Sequence, residues 1–173
     1  MRPLHAQTAR QSKEKATRLA ARLRGTRQGV LCWKSMSGNT MPSLDTNCLL
    51  RWLLGDIPEQ AALVTAVVNS GENVVLADAA LIETVFVLDK IKKISRKTIE
   101  KAIVAVMGID SISCNREIFI EVFPIYIKHP KLSFVDCYLD VLARRTGATP
   151  LLTFDKKLAN QLSGTRLLSP NCG

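Results

Sequence analysis

The chain has 173 residues and a mass of 19.1 kDa, the size of one ordinary domain with room for a tail. Apolar residues make up 47% and charged residues 23%, which excludes a disordered or fibrous chain, and no apolar run approaches the roughly 18 residues of a membrane span. A formal net charge of +9 invites a nucleic-acid reading, but residues 1–40 carry nine Lys/Arg against one acid, leaving +1 for residues 41–173.

Residues 1–40 show no hydrophobic periodicity long enough to bury a face. They read as a basic tail, a disordered arm or an extension from an upstream start, because Met41 stands immediately before the first strong pattern. An arm contacting RNA and an Arg-rich transit peptide are the competing readings. The folded domain is expected over residues 41–173. Five cysteines at irregular spacing contain no C-x-x-C pair, so they read as reduced thiols in a cytoplasmic protein.

Along the domain, residues 42–45 form a short first strand that runs into a helix at 47–54, with Leu49, Leu50, Leu53 and Leu54 at helical spacing. Gly55-Asp56 breaks that helix, and Pro58 opens a second over 59–69. Residues 73–77 (NVVLA) are a Val-rich buried strand followed by a helix at 79–91, with Asp78 as its N-cap. Ser95 caps a helix running to 107. A short strand follows at 109–113, then a helix at 116–127 that Pro124 should kink or end a turn early. Ser133 caps a helix at 134–145 that Gly147 stops. Residues 149–154 form a strand, 156–161 a helix and 166–168 a last short strand. Short apolar strands alternating with helices indicate an α/β chain with a parallel sheet covered on both faces. In such sheets the binding site forms where loops leave the carboxyl ends of the strands.

Four acids fall at such places. Asp45 ends the first strand and Asp155 a later one, while Glu83 and Asp136 lie near the starts of two helices. Carboxylates converging without basic partners repel one another unless a cation joins them. Oxygen-rich sets of this kind suit Mg²⁺ or Mn²⁺. Such a metal generates a hydroxide nucleophile and neutralises charge on a phosphoryl transition state. Each acid also has a structural reading. Asp45 and Asp155 serve as helix N-caps, and Asp136 completes a Ser-x-x-Asp cap with Ser133. Glu83, in an apolar stretch, needs a partner or a metal. Asp140, one turn after Asp136, either shares its face or is solvated. Asn47 orients Asp45 or a water, or caps the next helix. Thr153 holds a carboxylate or water through its hydroxyl, or simply packs. The clusters Lys90-Ile91-Lys92-Lys93 and Arg144-Arg145 are solvated faces or contacts to a phosphate backbone.

The segment 43–54 (SLDTNCLLRWLL) resembles the opening of PIN-domain nucleases, especially the VapC toxins of bacterial toxin–antitoxin modules. Residues 80–88 (ALIETVFVL), 134–143 (FVDCYLDVLA) and 152–158 (LTFDKKL) are similar to that family's second, third and fourth acidic motifs, in the family's order. The resemblance implies a three-layer α/β/α sandwich around a parallel sheet of about five strands. It also implies a Mg²⁺ or Mn²⁺ site at Asp45, Glu83, Asp136 and Asp155, with Glu83 binding metal through water or acting as general base. The implied activity is endoribonuclease cleavage by a metal-activated water, leaving a 5′-phosphate and a 3′-hydroxyl. The implied partners are RNA, a VapB-like antitoxin and a second copy of the chain, without a membrane. Residues 1–40 and Pro124 depart from the family pattern.

The reading of the sequence is therefore a Mg²⁺-dependent toxin ribonuclease. Its rivals are a housekeeping RNA-processing nuclease and a catalytically silent PIN-like module that binds RNA or a partner. A phosphatase with an Asp nucleophile is disfavoured, because Asn47 stands where its second Asp would be.

Overall fold

The computed structural model describes residues 41–169, so the basic segment 1–40 and residues 170–173 lie outside the described residues. The chain divides between Cys114 and Asn115 into two units, each taken by itself below.

The first unit begins with Ser43, which bridges Val75 in parallel register. Helix α1 (Thr46–Leu54) follows, burying Leu49, Trp52 and Leu53 at the three- and four-residue spacing expected of one face. Gly55 ends it in the left-handed region (φ +56), where a side chain would be strained, and gives its N–H to Arg51 O at 2.7 Å. Helix α2 (Pro58–Val68), opened by its proline, packs on α1. Strand β1 (Val74–Val75) leads to helix α3 (Asp78–Phe86), which also packs on α1.

The helix expected over 79–91 is not uniform. After Phe86 it widens into one π-turn, Val87–Ile91, in which Lys92 N–H reaches Val87 O at 2.9 Å. Asp78 is the first helical residue, and the cap position belongs to Ala77 without a side-chain bond, correcting the expected Asp78 cap. Helix α4 (Arg96–Met107) starts from Ser95, whose hydroxyl accepts from Thr98 N as foreseen. Strand β2 (Ile112–Ser113) then pairs with β1 in parallel, Val74 opposite Ile112.

The second unit opens with helix α5 (Arg116–Lys128). Pro124 neither ends this helix nor shortens it, and His129 N–H still bonds Ile125 O at 3.0 Å. The physical reason is packing. Phe119, Phe123 and Tyr126 are fully buried around Phe134, with ring centroids 5.9, 5.1 and 5.1 Å away. Several buried aromatics outweigh the roughly 3 kcal/mol that an interior proline costs.

Helix α6 (Phe134–Thr146) packs on α5 through this cluster and ends at Gly147 in the left-handed region (φ +73). Strand β3 (Leu151–Thr153), helix α7 (Lys156–Gln161) and strand β4 (Thr165–Leu167) complete the unit as a parallel crossover, with Leu152 opposite Arg166.

The α/β class and the parallel pairing are as expected. The strands are shorter and fewer: two parallel pairs of two or three residues plus the single bridge at Ser43 stand among the described residues. No helix among them is long and apolar enough to cross a membrane.

Candidate functional site

Asp45 precedes α1 with extended backbone (φ −81, ψ 173) and caps it: Oδ1 accepts the Cys48 N–H at 2.7 Å. That backbone bond, with further help from Cys48 and Asn47, holds the exposed carboxyl below its ordinary value, so it stays ionised. The Cys48 thiol is shifted the other way, pushed up by burial and then by its contact with Asp45. Asn47 itself is exposed on α1, and its side chain makes no hydrogen bond among the described residues.

Glu83 lies in the middle of α3 and is exposed, not enclosed by its apolar neighbours as the sequence suggested. Its partner is Thr46, whose hydroxyl donates to Oε2 at 2.6 Å. The residue after the first acid thus anchors the second, bringing two motifs together across the first unit. Sequence reading missed Thr46. The available signal was a hydroxyl on the first turn beyond Asp45.

In the second unit, Asp136 forms a capping box with Ser133. Its Oδ2 accepts the Ser133 N–H at 3.0 Å and the Ser133 hydroxyl at 2.6 Å, while Ser133 Oγ accepts the Asp136 N–H at 3.2 Å. Asp155 caps α7, its Oδ1 accepting the N–H groups of Lys157 at 2.7 Å and Leu158 at 3.4 Å. Thr153 fixes the approach to it: the Thr153 hydroxyl accepts the Asp155 N–H at 3.0 Å. Helices α6 and α7, which carry these two acids at their starts, both pack on β3.

Asp140 is not solvated. It is 3% exposed, with Oδ2 taking Arg144 Nε–H at 3.1 Å and Oδ1 taking the Thr165 hydroxyl at 3.4 Å. Its neighbour Arg144 and then Arg145, which reaches Glu117 at 3.0 Å and Glu121 at 2.6 Å, are therefore engaged inside the second unit. In the other basic cluster, Lys90 pairs with Asp89 at 2.9 Å.

A common pattern runs through Asp45, Glu83, Asp136 and Asp155. In Glu83, Asp136 and Asp155 the hydrogen bonds fall on one carboxylate oxygen and leave the other without a protein donor, and none of the four is ion-paired to Lys or Arg among the described residues. A carboxylate steadied by one oxygen and open at the other is a suitable donor for a hard divalent cation such as Mg²⁺ or Mn²⁺. Within the described residues no three His, Cys, Asp or Glu side chains stand as a group able to hold a metal ion. Asp45 and Glu83 belong to the first unit and Asp136 and Asp155 to the second.

No curated protein and no solved structure matches the chain. The PIN domain family model matches residues 43–161, which takes in all four acidic motifs and most of both units. Two thirds of the chain, with the acids in the expected order and each held by the start of its helix or by Thr46, belong to one family pattern. The chain belongs to the PIN domain family, whose members are generally nucleases acting on phosphodiester bonds.

Proposed function

We propose that the protein is a Mg²⁺- or Mn²⁺-dependent endoribonuclease of the VapC-like toxin type. The observation that carries this reading is the shared state of Asp45, Glu83, Asp136 and Asp155: each carboxylate is steadied by hydrogen bonds and none is ion-paired to Lys or Arg among the described residues, within the PIN match. Asp45, Asp136 and Asp155 would hold the metal. When bound, it would supply a polarised water and neutralise charge on the scissile phosphate. Glu83, steadied by Thr46, takes the proton of the attacking water at its open oxygen. Water attacks phosphorus, and the 3′ oxygen leaves with the bonding electron pair and takes a proton from solvent, giving a 5′-phosphate and a 3′-hydroxyl.

Support for the toxin role is the wording of the four motifs within the PIN match. A VapB-like antitoxin and a second copy of the chain are the proposed partners, and the cytoplasm the proposed site of action. The test is cleavage of RNA by the full chain with Mn²⁺ or Mg²⁺ against EDTA, together with growth arrest on expression and its relief by the adjacent small reading frame. Metal-dependent cleavage with arrest supports the reading. Cleavage without arrest would leave a nuclease that is not a toxin.

A further inference from the structure

Phe154 is the most exposed of the large apolar side chains in the described residues, at 80%, ahead of Ile91 at 63%. An exposed apolar residue alone means little. Its setting gives it meaning. It stands between Thr153 and Asp155, and the hydrogen bond from Asp155 N–H to the Thr153 hydroxyl, 3.0 Å long, closes the backbone around it. On its other side, Leu168 N–H bonds Thr153 O at 2.8 Å, so the β3–β4 pairing continues past the strand ends. The ring is thus presented from a fixed stretch of backbone, next to one of the four acids.

The register sets Arg166 opposite Leu152, and Phe154 and Leu168 are the residues that directly follow β3 and β4. All four are exposed. Lys156 and Lys157 follow directly, also exposed, and neither they nor Arg166 form an ion pair among the described residues. An open aromatic face bordered by three uncompensated cations matches the chemistry of a single-stranded nucleic acid: a flat base to stack and a phosphate backbone to neutralise.

We infer that Phe154 is a stacking platform for one base of a single-stranded RNA, seating the strand beside Asp155 while Lys156, Lys157 and Arg166 contact its phosphates. This rests on the nuclease reading and adds a substrate-positioning residue to it. The platform is indifferent to base identity, because every base offers a flat face.

The test is binding of a fluorescein-labelled RNA of about 12 nucleotides to the full chain in EDTA, read by fluorescence anisotropy. Phe154→Ala should weaken binding roughly 10-fold while Phe154→Tyr stays within about twofold, because tyrosine retains the stacking face. In Mn²⁺ the Phe154→Ala variant should raise KM by the same factor with kcat nearly unchanged. Wild-type affinity in Phe154→Ala overturns the inference. So does failure of the wild type to bind the RNA, or a weakening that tracks a change in oligomeric state measured by sedimentation, which would make this face a protein interface. Phe154-dependent binding by a wild type that never cuts in Mn²⁺ supports the platform and overturns the nuclease reading instead.

Discussion

The Thr46 hydroxyl donates to Glu83 Oε2 across 2.6 Å, joining side chains 37 positions apart in the chain. Thr46 sits in the first turn of α1, immediately after the Asp45 cap, and Glu83 in the middle of α3, which packs on α1. Two acidic motifs far apart in sequence are thereby held in one orientation by a single hydroxyl.

Thr46→Val should therefore lower cleavage more than it lowers stability. The bond is exposed, so its loss costs no more than about 1 kcal/mol in folding, whereas a misaimed Glu83 costs roughly 10- to 100-fold in kcat. Thr46→Ser should restore most of the activity. Parallel thermal melts and single-turnover cleavage check both halves. Equal activity in Thr46→Val would remove Thr46 from the site.

Asp45 carries two duties that substitution can separate. Asparagine is a good helix N-cap, so Asp45→Asn should fold with nearly full stability, while Asp45→Ala should lose about 1 kcal/mol. Both remove the charge, and both should lose at least about 100-fold in metal-dependent cleavage. Denaturant melts of the two variants separate cap from chemistry.

The pH behaviour of the same residue follows from its hydrogen bonds. The Cys48 N–H lowers the Asp45 carboxyl from the ordinary 3.8. A carboxyl whose folded value is depressed contributes stability above its unfolded value, and that contribution is lost as pH falls through the lower folded value. Acidification to the usual aspartate range should therefore leave the α1 cap in place. Carbonyl-carbon NMR titration of Asp45, with the Cys48 amide shift as a second probe, should show one shared midpoint below 3.8. A midpoint above that value would break the link to the cap.

Asp140 is a structural anchor of the second unit, and Gly164 is the residue that makes room for it. A Cβ at Gly164 would lie 2.8 Å from Asp140 Oδ1 and 3.4 Å from Arg144 Cδ. The Asp140 side chain is short, buried and tied to both Arg144 and Thr165, so it has nowhere to swing. Gly164→Ala should cost about 1–3 kcal/mol, visible as a lowered melting temperature. An unchanged melt would show that the loop yields freely.

Much of this architecture was legible because its signals are local. Ser95, Ser133 and Asp155 each satisfy N–H groups two or three residues ahead, and Gly147 adopts the left-handed turn that stops a helix. Asp45, Asp136 and Asp155 were legible for a similar reason, as each lies at a strand end or at the start of a helix, whereas Glu83, expected near a helix start, stands in the middle of α3. What sequence could not supply was set by distant neighbours. Pro124 stays within α5 because Phe134, ten residues on, completes an aromatic cluster. Asp140 is buried because Gly164 and Thr165 close over it. Thr46 finds Glu83 only when α1 and α3 pack. The strands at 73–77, 109–113 and 149–154 read as five or six residues but pair over only two or three, since apolar runs mark burial and not the length of a hydrogen-bonded ladder.

The central proposal is that Asp45, Glu83, Asp136 and Asp155 serve one metal-dependent activity. Calorimetric titration of Mn²⁺ into the full chain and into Asp45→Asn, Glu83→Gln, Asp136→Asn and Asp155→Asn, with RNA cleavage followed on the same samples, tests it most directly. The account predicts Mn²⁺ binding that weakens at least about 10-fold in Asp45→Asn, Asp136→Asn and Asp155→Asn alike, with cleavage lost in all four. Unchanged Mn²⁺ affinity and retained cleavage in Asp136→Asn and Asp155→Asn would contradict it.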